Sequence, residues 1–178
     1  SENNNIMKNH SLTECFFKTF YTIILLAWYA IAAAQVNLPQ QPFTVDAVQA
    51  INFGSFCITG KGGGSITVSY DGSRTSTGDI TLLATYPIAL PAVFEYKLCP
   101  GKHVSINFDA NAIIPGRNGI SLKMDVGPSD KGPNGFVFTT TTECNALTTL
   151  RVGGTLHIPG NAKPGNYSGL FNVTLNLE

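Results

Sequence analysis

The sequence predicts an all-β fold, an antiparallel β-sandwich or barrel, set behind a removable secretory leader. Three observations carry this expectation. Short runs of alternating apolar and polar residues recur between turn-forming Gly, Pro, Asn and Asp. After Gln35 no stretch keeps helical apolar spacing over three turns. Ser1–Ala34 reads differently from everything that follows it.

The leader comes first. Lys8 and Lys18 precede an apolar run from Thr19 to Ile31, and Ala32 and Ala34 then occupy the −3 and −1 places of an A-x-A cleavage site. Translation starts at Met7 or upstream of it, and Gln35 reads as the first residue after processing. The run falls short of the roughly 20 residues that span a bilayer, so no stable membrane insertion of the processed protein is expected. No Cys follows the run to take a lipid, and Cys15 leaves with the leader. The organisation is thus an extension and leader over 1–34, an N-terminal arm over 35–49 and a β-domain over 50–178. Lys and Arg number 11 and Asp and Glu also 11, so no attraction to nucleic acid follows from net charge.

In chain order the expected strands are "QAINFGSF" (49–56), "GSITVSY" (64–70), "GDITLLA" (78–84), "AVFEYKLC" (92–99), "HVSINFD" (103–109), "GISLKMDV" (119–126), "GFVFTTTT" (135–142), "LRVGGTLHI" (150–158) and "YSGLFNVTLNLE" (167–178). Asp71–Gly72 and Pro100–Gly101 are turn dipeptides. In the last run Tyr167, Phe171, Val173, Leu175 and Leu177 point one way and Ser168, Asn172, Thr174 and Asn176 the other, the period of a half-buried strand. The arm "QVNLPQQPFTVDAVQA" carries Pro39 and Pro42, which keep its first half out of a central ladder. Phe43, Val45 and Ala47 share one face of its second half, which either joins this domain or pairs elsewhere.

Chemistry-bearing clusters are not expected. His103 and His157 fall on the polar phase of their strands. "GKGGGS" (60–65) lacks the spacing of a phosphate loop and leads into a strand, so it reads as a hairpin connection. Asp125 and Asp130 sit in a turn-like stretch whose oxygen spacing suits calcium poorly. There is no G-x-S-x-G elbow, and Asn166 and Asn172 head glycosylation sequons. The expectation is a non-enzyme without metal or cofactor. Cys57, Cys99 and Cys144 remain after processing. In an oxidising compartment one pair and one spare thiol are expected, either Cys57–Cys99 or Cys99–Cys144, with three unpaired thiols as the alternative.

Several of these runs together resemble a known family. "INFGSF", "GGSITVSYDGSRTSTGDITLL", "AVFEYKLCPGKHVSINF" and above all "VGGTLHIP…PGNYSGLFNVTLN" resemble the DUF4402 family of exported bacterial proteins, over Ala50–Asn176. They are more distantly similar to chaperone–usher pilus subunits of the spore-coat-U-like group, in the "FG" first strand, in "YKLCPGKHVSI" and in an ending filled by Gly165, Tyr167, Val173 and Leu175. The chain departs from the pilins by placing Cys57 after "FGSF" and by ending in Leu177–Glu178.

The resemblance implies a pilin-like, immunoglobulin-like antiparallel sandwich that lacks its last strand, and a cystine between Cys57 and Cys99. It implies passage through the periplasm to the cell surface, with self-association or neighbouring fibre subunits as partners and a periplasmic chaperone and usher on the way. Phe43, Val45 and Ala47 would be the donor arm, and Tyr167, Phe171, Val173, Leu175 and Leu177 the edge beside the acceptor groove. The resulting expectation is a structural subunit of a surface fibre. The alternative is a free-standing secreted or surface-associated binding domain, for adhesion and for carbohydrate in particular.

Overall fold

The structure, a computed structural model, describes residues 43–116 and 119–178. The leader, its cleavage site and the first part of the arm lie outside the described residues. Every regular element described is a strand: β1 (Val45–Gln49), β2 (Phe56–Ile58), β3 (Gly64–Val68), β4 (Arg74–Gly78), β5 (Ile80–Leu82), β6 (Ala92–Tyr96), β7 (His103–Phe108), β8 (Asn111–Pro115), β9 (Ser121–Ser129), β10 (Val137–Thr139), β11 (Thr148–Ile158) and β12 (Val173–Leu177). All pairings are antiparallel. No helix among the described residues is long and apolar enough to cross a membrane.

The long strand β11 organises the larger, seven-stranded sheet, which curls into a half-barrel. Thr148–Val152 of β11 pairs with β6, and Gly154–Ile158 pairs with β3. Gly154–His157 also pairs with β9, so β3 and β9 lie on opposite edges of the same strand. β1 extends this sheet beyond β6, β4 beyond β3, and β8 beyond β9. β10, β7 and β12 form a three-stranded sheet, and β2 and β5 a two-stranded one.

Alternation decides which side chains meet inside. Ile66 and Val68 of β3, Leu150 and Val152 of β11, and Val104 and Ile106 of β7 are fully buried. Tyr96, Leu122 and Met124 join them at 1–2% exposure. The outward positions carry Ser65, Thr67, Thr77 and Thr155, whose hydroxyls bond across strands: Ser65 to Thr77 at 2.8 Å and Thr67 to Thr155 at 2.9 Å.

Four expectations are corrected. The run 49–56 is not one strand. Asn52 bridges Leu90, its side-chain oxygen accepts the Gly54 N–H at 2.7 Å, and Gly54 takes φ +69°, so this Asx turn breaks the run before β2 begins. β4 and β8 were not expected. β4 is polar on both faces, and β8 hides its alternation, Ala112 and Ile114 inward, in five residues that end in Pro115.

The terminal run is not an unbroken strand either. Tyr167 bridges Gly116 and the Ser168 N–H bonds the Pro115 carbonyl, beside β8. The chain then crosses over at Asn172, which exchanges hydrogen bonds with Asp109, and β12 pairs with β7. A Cβ on Gly169 would meet the Ile113 carbonyl and the Ile114 side chain at 2.8 Å, which is why glycine stands at this crossing. The terminal run therefore belongs to both sheets.

The fourth correction concerns the cysteines. Cys99 is bonded to Cys144, and Cys57 is a free, exposed thiol on β2 opposite Thr81. The Cys57–Cys99 pairing that the resemblance implied is not formed. The cause is the path of the chain after β10. Gly101 donates to the Thr140 carbonyl at 2.8 Å, Thr140 donates to that of Lys102 at 2.8 Å, and the buried Thr140 hydroxyl donates to the Cys99 carbonyl at 2.6 Å. Those bonds lay the 140–144 segment alongside Cys99.

Candidate functional site

A groove of about 970 Å³ opens into the core between two runs of chain, 50–58 and 162–169. Inward side chains of β8, β9 and β11 line its depth: Ile114, Leu122, Met124, Leu156 and Ile158. Ile51, Phe53, Phe56 and Ile58 on one wall and Tyr167 and Phe171 on the other pack against this core while staying only partly buried. Phe171 also meets Phe94 of β6 edge-on, with ring centroids 6.3 Å apart.

Each wall is bonded to its own neighbour. The 50–58 wall pairs with Leu90 and with β5, and the other wall pairs with Pro115 and Gly116. Among the described residues no backbone hydrogen bond joins wall to wall.

Arg74 fixes the first wall. Its guanidinium donates to the Ser55 carbonyl at 2.8 Å and to the Leu83 carbonyl at 3.3 Å, and it lies directly against Gly54. Its pKa is lowered by desolvation alone, which leaves it a cation fastening β2 to the β5–β6 connection. Gly54 leaves room for it: a Cβ there would stand 3.1 Å from the guanidinium carbon.

The groove is largely apolar along its floor and both walls. Of the described residues lining it, Lys163 alone is charged, and Cys57 is the one thiol. Among the described residues no carboxylate or imidazole lines it. Tyr96, whose phenol is pushed up to about 12 chiefly by burial and then by Asp130, lies outside the groove lining, on β6 beside Phe138.

The other candidates fall in separate places. The glycines of "GKGGGS" close round an internal carboxylate, with the Gly62 N–H donating to Asp79 at 2.8 Å. Asp130 accepts from the Arg151 N–H at 2.9 Å, and Asp125 lies on β9 rather than in a turn. His103 shares a hydrogen bond with Thr139 at 3.1 Å. His157 meets Asp125 at 2.6 Å on the outer face, with Lys123 3.2 Å from the other carboxylate oxygen.

These contacts hold the Asp125 carboxyl below its usual range, the His157 hydrogen bond foremost. A depressed folded pKa stabilises above the unfolded value of 3.8 and stops doing so as pH falls through the folded value. Asp125→Asn is therefore expected to be less stable than wild type at pH 7, with the gap closing in strong acid. The gap is small because the pair is nearly half exposed and screened. Urea unfolding of both proteins across pH reads it, and a gap that widens on acidification contradicts the assignment.

The structure brings together much of what the terminal-run reading named. Tyr167, Phe171, Val173 and Leu177 pack partly buried against the core, and Leu175 is buried. It treats the donor arm differently. Val45–Gln49 pairs with β6 of its own sheet, Phe43 and Val45 pack against its own core, and Ala47 is exposed. The groove's deep residues on β8, β9 and β11 went unnamed at the sequence level, because alternation marks them as core without saying that a groove lies above them.

Fold and groove define a class: an all-β antiparallel domain, tied by one cystine among its described cysteines, with a groove between two chain segments. Residues 43–177 match the family described as a domain of unknown function, DUF4402, and the chain belongs to that family. No curated protein matches it.

Proposed function

We propose that the protein is an exported, non-catalytic structural subunit of a bacterial surface fibre, joined to its neighbours by β-strand addition. In this reading Ser1–Ala34 is removed during export, and the domain is a pilin-like, immunoglobulin-like sandwich short of one strand. A periplasmic chaperone and usher handle it before it reaches the surface. The observation that supports it is the groove. An apolar slot between two runs that no backbone bond joins among the described residues suits an extended strand from another chain, which supplies main-chain hydrogen bonds and alternate apolar side chains together. The occupant is the arm of a second copy, with Phe43, Val45 and Ala47 turned to the floor. Burying a Phe and a Val contributes about 3–6 kcal/mol before ordering costs.

A second reading, a free-standing secreted adhesion domain for carbohydrate, is favoured by the pairing of β1 with β6 of its own chain. Mass measurement during size exclusion separates the two, on the processed protein with and without Gln35–Ala47. Strand addition predicts concentration-dependent oligomers that vanish on deletion, with folded monomers recovered when an arm peptide is added. A monomer at every concentration, destabilised by the deletion, overturns it in favour of the free-standing domain.

A further inference from the structure

The arm carries one charged residue, Asp46, between Gln35 and Ala50. In its own sheet Asp46 stands directly opposite Glu95 of β6. Like charges facing across a strand pair oppose the pairing. Lys97 and Arg151 lie at neighbouring outward positions, yet neither Asp46 nor Glu95 is within ion-pair distance of a described cation. Among the described residues β1 is also an edge strand paired with β6 alone, with three of its five residues exposed and its register shifted between Ala47 and Gln49. The groove has the opposite sign: Lys163 is the one charged residue among the described residues that line it. A strand that turns Phe43, Val45 and Ala47 to the groove floor turns Asp46 to the rim, where Lys163 is exposed.

We propose that charge directs the arm from its own sheet to a second copy of this chain: Glu95 repels Asp46 at home, and Lys163 attracts it at the partner's groove. Asp46, Glu95 and Lys163 are then the residues that set the choice between the closed monomer and strand exchange, and the Asp46–Lys163 pair fixes the register of the inserted strand. This rests on the strand-addition reading above.

The test compares wild type, Glu95→Lys, Lys163→Glu and the triple variant Asp46→Lys with Glu95→Lys and Lys163→Glu, by sedimentation of the processed protein at low and at high salt. At low salt Glu95→Lys, which makes the home pairing attractive, and Lys163→Glu, which makes the groove repulsive, are each expected to weaken association about twofold to fivefold. The triple variant, which restores repulsion at home and attraction at the groove with every sign reversed, is expected to recover the loss seen in Lys163→Glu, and high salt to shrink every difference. Hydrogen exchange on the monomer supplies a second readout. Glu95→Gln is expected to slow exchange of the amides of Val45–Gln49, because it removes the repulsion that loosens β1.

A wild type that associates through its arm while all variants behave alike overturns the charge assignment and leaves strand addition standing. So does unchanged exchange of β1 in Glu95→Gln. A wild type that remains monomeric at every concentration overturns strand addition itself, and this proposal with it.

Discussion

Replacing Cys144 with serine is expected to lower stability by about 4 kcal/mol and the thermal midpoint by on the order of 10 °C. The bond joins residues 45 apart in sequence, and releasing so long a loop returns its closure entropy to the unfolded chain. The folded state loses less, because the bonds between Thr140 and Gly101, Lys102 and Cys99 still hold the two segments together. Cys57→Ser, at an exposed thiol outside the cystine, is expected to be nearly neutral. Thermal unfolding of the two variants and a non-reducing peptide map check this jointly. A large loss in Cys57→Ser, or recovery of a Cys57–Cys99 peptide, contradicts the assignment.

Phe171→Asp is expected to cost about 3–5 kcal/mol. The ring packs on Phe94 and against the core, and it stands where the terminal run passes from one sheet to the other. A carboxylate there loses the ring's burial and must either be desolvated or pull the crossing segment into solvent. The second route opens the groove wall, so the variant is also expected to lose any strand-addition partner. Leu170→Asp, one residue earlier and 92% exposed, is the control and is expected to change stability by less than about 0.5 kcal/mol. Equilibrium denaturation of the pair decides it, and equal losses at both positions would show that the alternation does not set the inward face here.

The class of the fold was legible because alternation is local. "SITV", "VSINF" and "VTLNL" announce their inward residues without knowledge of partners, and Ile66, Val104, Ile106 and Leu175 are buried as that phase requires. What was not legible depends on the partner strand. β4 has no apolar face to announce it, since Arg74 and Ser76 make side-chain bonds to backbone carbonyls where another strand would bury hydrophobics. The break in the terminal run is set by Gly116 and Asp109, some fifty to sixty residues upstream of the residues they hold. The cystine followed the path of the 140–144 segment, which three hydrogen bonds at Thr140 determine and no spacing of cysteines reveals. The groove is invisible for a related reason: its floor reads as ordinary buried core in Leu122, Met124, Leu156 and Ile158, and only the placement of two irregular runs sets a groove above it.

The position of β11 has a consequence for the order of assembly. β3, β6 and β9 all precede it in the chain, and all three dock on it. Until Thr148–Ile158 exists, the hairpin of β3 with β4, the pair of β1 with β6 and the hairpin of β8 with β9 have no common strand to join them. Isolated two-stranded pairs are marginal in water. A nascent chain short of residue 148 therefore cannot close the larger sheet, and the late, non-local pairings place the protein among slow folders. A keystone made this late leaves the earlier strands of the domain pliant, free of any locked sheet, until Thr148–Ile158 has been synthesised.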